Sequence, residues 1–384
     1  MLYHNLRSAP VMDARGFVRN NFLLIASAVL ALFSLFIVPF DTVMSYDYPR
    51  ILKTIGTLLL FLIIVGGLKE CRALHKLAHA AVGNLKTTTS LCLVLILLPF
   101  FCAMLFSNDV ALLTFVPLAI AVLRMAEMKS QIAIVVVLQT AAANVGSYLT
   151  PFGNPHNLYM FNLSDLYGFT VVDYEMALIP IVIVGTIALI VMALLIPRKA
   201  LDVDLEDVGE VPMPKVAAIL ALFVVAILAV LNVIPLYIAL IAIVAVFLVM
   251  MPKVFLRIDY SILLIFLFLF VFANGITNLD SVHSAVSGLM DSNPMITTVL
   301  VSQFTSNVAS TILLQPFTGD WAAVLVGADI GGFGTPIASM ASVISLRFYM
   351  LDKEGSVKDF LKVFVIVNLV MLAVLIPTYY LFVA

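Results

Sequence analysis

The sequence predicts an all-α polytopic membrane protein built from two inverted repeats, each with a re-entrant hairpin and a broken transmembrane helix. Three observations predict this class. Of 384 residues, 63% are hydrophobic and only 11% are charged, whereas a soluble protein has about a quarter of its residues charged. The apolar runs between the charges are long enough to cross a bilayer. Polar and Gly-Pro interruptions also recur at matching places in the two halves.

Composition excludes several classes of function. The net charge is −2, from 20 Lys+Arg and 22 Asp+Glu, so no polybasic face is available for nucleic acid. No Cys/His cluster has zinc-ligand spacing. The three cysteines, Cys71, Cys92 and Cys102, are an odd number and are interpreted as small apolar residues, not as a disulfide framework. We therefore expect no resident cofactor.

Nine apolar runs qualify as spans, because about 20 helical residues cross the hydrocarbon core. They are 21–40, 51–68, 131–161, 176–197, 216–232, 236–251, 260–277, 321–349 and 363–382. The first run is too long for a signal-peptide core and no small-residue cleavage site follows it, so we expect it to be retained. Two further stretches are interrupted near their middles, 89–123 by Ser107-Asn108-Asp109 and 294–318 by Ser306-Asn307.

Charge placement predicts that the stretch 89–123 is a re-entrant hairpin open to the cytoplasm. Cytoplasmic loops accumulate Lys and Arg, and this stretch lies between the basic segment Lys69 to Lys86 and the pair Arg124 and Lys129. Because both of its ends are then cytoplasmic, its polar turn is expected near mid-membrane.

The stretch 294–318 is predicted to open outward, since it is bounded by Asp280, Asp291 and Asp320 and by no Lys or Arg. The amino terminus is then cytoplasmic and the carboxy terminus extracytoplasmic, in the inner (plasma) membrane. Of the 20 basic residues, only Arg50 and Lys53 fall on the outer side. If one span were added or removed, the basic residues would be distributed over both sides of the membrane.

The chain divides at the acidic linker Asp202 to Glu210. Residues 1–200 form the first inverted repeat with the inward-opening hairpin 89–123. Residues 201–234 hold the linker and a connector helix. Residues 235–384 form the second repeat with the outward-opening hairpin 294–318. Inverted repeats of this kind build many secondary transporters.

The two interrupted spans share residues at equal spacing. Gly146, Thr150 and Pro151 match Gly331, Thr335 and Pro336, and Ser107-Asn108 matches Ser306-Asn307. Gly and Pro stop a helix in a membrane only where the freed backbone groups meet protein, water or ligand. The tips and unwound segments are therefore expected around one midplane cavity, where helix amino-termini favour anions and free carbonyls favour Na+.

Three segments, Ser107 to Pro117, Leu149 to Asn157 and Gly327 to Ser339, resemble the ion transporter superfamily, which includes arsenite permeases, Na+/H+ antiporters and citrate or dicarboxylate/sodium symporters. The resemblance covers nearly the whole chain. It implies a homodimer in the lipid bilayer, with a scaffold domain and a mobile transport domain that moves as an elevator. The third tip residues, Asp109 and Val308, depart from the Ser-Asn-Thr of the carboxylate symporters, and the Asn-Asp tip looks closer to the arsenite-permease branch.

The resemblance and the matched breaks together give a set of expected substrate-binding residues. These are Ser107, Asn108, Gly153, Asn154, Ser306, Asn307, Thr335, Ala338 and Ser339. A coupling Na+ is expected at Asn108, Gly153, Asn307 and Ala338.

Two acidic residues, Asp109 and Asp329, lie inside membrane-depth segments. An intramembrane carboxylate costs about 2.5 to 3.5 kcal/mol, so we expect it to carry function. Neither has an obvious basic partner in the sequence, and each must be protonated, hydrated, bound at a helix terminus or paired with a cation. We assign ion coupling to Asp109 first and to Asp329 second. The alternative for Asp109 is a cap on the helix after the tip.

Three histidines are further candidates for a functional role. His156 lies in the first break, where its second-half counterpart is Ala341, and an orienting role is open to it. His75 and His79, four residues apart, lack a third ligand for a metal.

The leading hypothesis is an H+- or Na+-coupled secondary active transporter of a small inorganic or carboxylate anion or an oxyacid. The alternatives are Na+/H+ antiport, arsenite efflux, an intramembrane enzyme and a passive channel. The chain lacks a Gly-rich nucleotide-binding loop, and it lacks a Ser/His or paired-Asp constellation on facing spans. We therefore expect it not to be an enzyme. The substrate stays open, because Ser, Thr and Asn can hold a carboxylate, arsenite or a Na+ shell.

Overall fold

A computed structural model describes residues 22–82, 85–197, 210–351 and 356–384. Within these ranges the chain is helical and contains no strand, which confirms the all-α class. The basic residues Arg7, Arg15 and Arg19 and nearly all of the linker Asp202 to Glu210 lie outside the described residues.

The first half opens with α1 (Phe22–Ile37), α2 (Phe40–Met44), α3 (Tyr48–Glu70) and α4 (Ala73–Val82). Helices α5 (Thr88–Phe106) and α6 (Asn108–Met125) form the first hairpin. After a 3-10 turn (Lys129–Gln131) come the interrupted span, α7 (Ile132–Ser147) and α8 (Pro155–Phe161), then α9 (Ser164–Tyr167) and α10 (Val171–Leu194).

The second half follows the connector helix α11 (Met213–Val230). It contains α12 (Leu236–Met250), a 3-10 turn (Pro252–Leu256), α13 (Ser261–Thr277) and α14 (Asp280–Ser292). The second hairpin is formed by α15 (Pro294–Ser302) and α16 (Asn307–Leu314), with a 3-10 turn (Gln315–Phe317) after it. The second interrupted span is α17 (Trp321–Gly331) and α18 (Met340–Leu351), and α19 (Val357–Phe382) ends the chain.

Seven of the described helices are long and apolar enough to cross a membrane, or eight if α13 and the bent continuation in α14 count as one span. Helices α1, α12, α17 and α18 are shorter apolar helices. Both spans expected to be broken are two helices, and both predicted hairpins are helical pairs. The polytopic membrane class therefore holds for the described residues.

The two hairpins differ in length. The arms of the first, α5 and α6, have 19 and 18 residues, whereas those of the second, α15 and α16, have 9 and 8. A helix of 18 residues is about 27 Å long and can cross the hydrocarbon core by itself. The depth of the first tip therefore stays a prediction.

Two spans begin earlier than their apolar runs, because capped polar turns start the helices. In α10, Thr170 and Asp173 form a reciprocal capping box. In α19, Ser356 accepts a hydrogen bond from the backbone N–H of Asp359. Such caps satisfy N–H groups that lack intrahelical partners, so the helix extends beyond the hydrophobic segment.

The helices pack as two groups. One group contains α1, α3, α11, α12 and α13; the other contains both hairpins, both interrupted spans, α10 and α19. Helix α7 lies at the centre of the second group, and nearly all of its residues are buried. The groups meet where α13 packs against α16 and α3 packs against α8.

Candidate functional site

Each hairpin tip is bound to the break of its own half by the same backbone contact. The N–H of Asn108 donates to the carbonyl of Gly153 at 3.2 Å, and the N–H of Asn307 donates to the carbonyl of Ala338 at 2.8 Å. The predicted tip and break residues are thus brought together in both halves. The two contacts also pair Gly153 with Ala338, as the sequence alignment of the breaks requires.

A second matched contact fixes the threonines of the breaks. The hydroxyl of Thr150 donates to the carbonyl of Met104 at 2.5 Å, and that of Thr335 donates to the carbonyl of Gln303 at 2.8 Å. Each acceptor lies three residues before the tip serine. The last carbonyls of a helix lack intrahelical donors, and these hydroxyls satisfy them.

The tips themselves share an unusual backbone. Ser107 has φ +83° and Ser306 has φ +136°, a region that non-glycine residues rarely adopt and that costs of order 1 to 3 kcal/mol. The next residue stabilises each turn, because the side-chain oxygens of Asn108 and Asn307 accept the following N–H groups at 2.8 and 3.0 Å. Strain kept at two equivalent positions suggests a requirement of the site.

Asn144, near the end of α7, connects the two halves. Its side-chain oxygen accepts a hydrogen bond from the Asn108 amide at 3.0 Å and another from the Ser339 hydroxyl at 3.3 Å. The first tip and the second break therefore meet at one buried atom. Asn144 was not among the predicted site residues, although it precedes Gly146 by two residues just as Asp329 precedes Gly331.

Two other side chains hold the breaks in shape. Asn154 donates to the hydroxyl of Ser147 at 2.6 Å, so it bonds within its own break. Gln303, which the sequence analysis also missed, donates to the carbonyls of Gly331 and Phe333 at 3.0 and 2.9 Å. Its oxygen accepts the N–H of Thr335 at 2.8 Å. Gln303 satisfies backbone groups that the second break exposes, whereas Asn154 bonds a side-chain hydroxyl.

Asp329 has the basic partner that the sequence did not reveal. Its carboxylate lies 2.9 Å from Nε2 of His156, and both side chains are 0% exposed. The amide of Asn157 is 3.5 Å from its other oxygen, and the Tyr148 hydroxyl donates to the Asp329 carbonyl at 2.5 Å. The expectation that Asp329 lacks a partner is therefore wrong, because α8 folds back against α17.

Asp109 is placed differently. Its residue is half-buried, and its oxygen Oδ1 is buried with no hydrogen-bond partner among the described residues. No bond from its carboxylate to a helix N–H is found in the described part of the chain, so the capping alternative gains no support. The Lys69 ammonium, at the end of α3, acts electrostatically on it. No ion pair of Asp109 occurs among the described residues, so the expectation that it lacks a direct basic partner stays a prediction.

Metal binding finds no support at the other histidines. Within the described residues no group of three His, Cys, Asp or Glu side chains is placed to hold a metal ion. Burial, and then the nearby Arg72 guanidinium, lower the pKa of His75, which keeps that imidazole neutral at pH 7. Cys71, Cys92 and Cys102 are free and buried, in agreement with their interpretation as small apolar residues.

Comparison with known proteins identifies the family. Residues 16–325 match the family model described as citrate transporter. An uncharacterized transporter of Methanocaldococcus jannaschii, MJ0456, is 28% identical over 299 residues, which is 77% of this chain and 80% of that protein. The inner membrane protein YbiR of Escherichia coli is 28% identical over 297 residues, 77% of this chain and 79% of that protein. The superfamily resemblance is confirmed, and the chain belongs to the citrate transporter family of membrane transporters.

Proposed function

We propose that the protein is an ion-coupled secondary active transporter that moves a small anion through a site formed by the two hairpin tips and the two helix breaks. The observation that carries this proposal is the shared acceptor at Asn144, which Asn108 and Ser339 reach from opposite halves. Polar tips and unwound segments at one place are what a substrate site in a bilayer requires.

Matched contacts support the inverted-repeat part of the proposal. The tip amide, the break threonine and the left-handed tip serine occur twice at equivalent positions. The two halves share these contacts, but basic residues flank the first hairpin and acidic residues flank the second. The hairpins are therefore expected to approach the site from opposite sides of the membrane. Alternating access then exchanges the roles of the two hairpins.

The two packing groups support an elevator movement. The group that contains both hairpins and both broken helices would be the mobile domain, and the group around α3 and α13 would be the scaffold of a homodimer. A polar contact between the groups is that of Asn162 with the hydroxyls of Thr54 and Thr57, at 3.4 and 3.2 Å. Contacts of this strength, about 1 kcal/mol each, can be exchanged during a movement.

The chemistry of the site suits an anion and a monovalent cation. Helices α6, α16 and α18 begin at the tips or just after a break, and helix amino-termini stabilise negative charge. The carbonyls of Gly153 and Ala338 and the amide oxygens of Asn108 and Asn307 are the oxygen ligands that a Na+ would use. Since the family is named for citrate, a carboxylate is the first substrate to test.

A second function in the same fold is Na+/H+ antiport. The buried oxygen of Asp109 that lacks a partner favours it, because an unsatisfied carboxylate oxygen is a ligand for a cation. In that case anions would not be transported, and Na+ alone would move against H+.

Uptake by purified protein in proteoliposomes tests the proposal. Labelled citrate, succinate, sulfate and arsenite are offered, each with an imposed Na+ or pH gradient. Accumulation of at least one anion above its equilibrium ratio under a gradient is expected. Gradient-driven Na+/H+ exchange with no uptake of any of the four would favour the antiport function instead.

A further inference from the structure

A buried pair of titratable side chains joins the two halves beside the site. His156, on α8 of the first half, lies 2.9 Å from Asp329, on α17 of the second half, and neither has any exposed surface. The pair spans 173 positions of the chain, so it forms only when the two halves pack as described.

With one proton shared between Nε2 and the carboxylate, the pair would be electrically neutral. A neutral imidazole with a protonated carboxyl and an imidazolium with a carboxylate hold the same number of protons. Loss of that proton would leave a buried negative charge, and gain of a second would leave a buried positive charge. Either change is costly in a low-dielectric interior unless a nearby charge compensates it.

Within the described part of the chain, the surroundings of Asp329 offer no fixed charge that would do so. The titratable groups that face Asp329 are His156 on α8, Tyr148 at the end of α7 and Tyr174 on α10. The helices α15 and α16, which also pack against α17, present the hydroxyls of Thr298, Ser302, Ser310 and Thr311 on their buried faces. Among the described residues, the charge state of the pair therefore depends on what binds nearby.

Two buried polar atoms lie beside the pair. Nδ1 of His156 and Oδ1 of Asn157 are buried and have no hydrogen-bond partner among the described residues. A doubly protonated imidazole needs an acceptor for Nδ1–H, and an amide oxygen is such an acceptor. Two buried polar atoms beside the pair can thus enter a new hydrogen bond when the protonation of the pair changes.

One turn of α7 connects the buried pair to the proposed anion site. Tyr148, whose hydroxyl bonds the backbone of Asp329, follows Asn144 by four residues and lies on the same face of α7. A negative charge bound near a buried group raises the proton affinity of that group, because the attraction between opposite charges is stronger in a low dielectric. An anion held at Asn144 would therefore favour the doubly protonated pair.

We propose that Asp329 and His156 together form the proton-binding site of the transport cycle, and that a proton from the aqueous phase binds this pair when the anion binds and leaves it when the anion leaves. The proposal rests on the proposed function and names H+ as the coupling ion. No bond other than those to the proton forms or breaks.

The test uses proteoliposomes that contain a pH-sensitive dye, with whichever of citrate, succinate, sulfate and arsenite the wild type accumulates most. With one proton transported per anion and the membrane potential held at zero, an interior one pH unit more alkaline should give about tenfold accumulation. In Asp329→Asn and His156→Gln this ratio should fall to about one. Exchange of labelled anion in the absence of a gradient should fall less than gradient-driven accumulation does, because exchange needs no net movement of protons. The controls Asp291→Asn and His283→Gln make the same changes at exposed positions, and both should behave as wild type.

Asp329→Glu separates titration from structure, because it keeps a carboxyl group and should keep part of the pH response. Variants at both positions that accumulate the anion with the wild-type ratio would overturn the proposal. If the variants do not fold, the dye signal of the wild-type protein tests the proposal instead. Anion uptake by the wild type without any movement of protons would also overturn the proposal. A wild type that exchanges none of the four anions contradicts the proposed function itself, and the proposal falls with it.

Discussion

The hydroxyl of Ser339 donates to the side-chain oxygen of Asn144, 195 residues earlier in the chain, at 3.3 Å. Because Asn108 donates to the same oxygen, one buried amide is hydrogen-bonded to the tip of the first half and to the break of the second half. A ligand that binds there can displace these donors or form further hydrogen bonds beside them. Its binding can therefore affect both halves of the molecule.

Replacement of Asn144 should therefore impair transport strongly, because two donors lose their acceptor at once. Asn144→Ala leaves the Asn108 amide and the Ser339 hydroxyl without their shared acceptor, at a cost of about 1 to 3 kcal/mol for each buried group left unpaired. Gradient-driven uptake should fall at least tenfold while the protein remains folded. Asn278→Ala, an exposed residue whose amide bonds within its own turn, is the matched control. Wild-type uptake by Asn144→Ala would show that the amide only packs.

The matched threonines should respond alike. Thr150→Val and Thr335→Val each remove a hydroxyl that satisfies a helix-terminal carbonyl, at a cost of about 1 kcal/mol. The melting temperature of the purified protein should drop by roughly 2 to 4 °C in either variant, and serine at either position should restore it. If only one of the two variants is destabilised, the two breaks are not structurally equivalent.

Gly146 allows a test of the close packing behind the first break. A Cβ at this position would lie 2.2 Å from the carbonyl oxygen of Phe100, so Gly146→Ala must push α7 away from α5. Overpacking of this kind costs about 1 to 3 kcal/mol or more. Gly288→Ala is the control, because nothing lies within 4 Å of its added Cβ. We expect loss of folded protein on size-exclusion chromatography for Gly146→Ala alone.

The topology can be tested by labelling. Lys76 and Asp165 are exposed, and the native cysteines are buried. Cysteine introduced at position 76 should react with an impermeant maleimide only from the cytoplasmic side, and cysteine at position 165 only from outside. Reaction of both from one side would contradict the inverted arrangement of the halves.

Local physics made the helices and their interruptions predictable. Apolar runs, charge placement and the repeated Gly, Thr and Pro residues located the spans, both tips and both breaks within a few positions. Helix ends were less accurate where a capped polar turn extends the helix, as at Thr170. Gly153 and Ala338 were expected at the site from the family resemblance, but their backbone contacts with the tips were not predicted.

Contacts between the halves were not predictable from spacing. Nothing in the local pattern around His156 shows that it meets Asp329, because that contact depends on how α8 packs against α17. The sequence analysis placed ion coupling first at Asp109, and that assignment stays a prediction. Asn144 had a detectable signal, its position relative to Gly146, but its polarity in a helix is more often a packing feature.

The measurement that tests the central claim most directly is gradient-driven anion uptake by the two tip variants, Asn108→Ala and Asn307→Ala, beside wild type and Asn278→Ala. An amide that binds a desolvated charged ligand is worth about 1.5 to 3 kcal/mol, so uptake should fall ten- to a hundredfold in each tip variant and stay at the wild-type level in the control. Folded tip variants that both transport as wild type would contradict the claim that the hairpin tips form the substrate site.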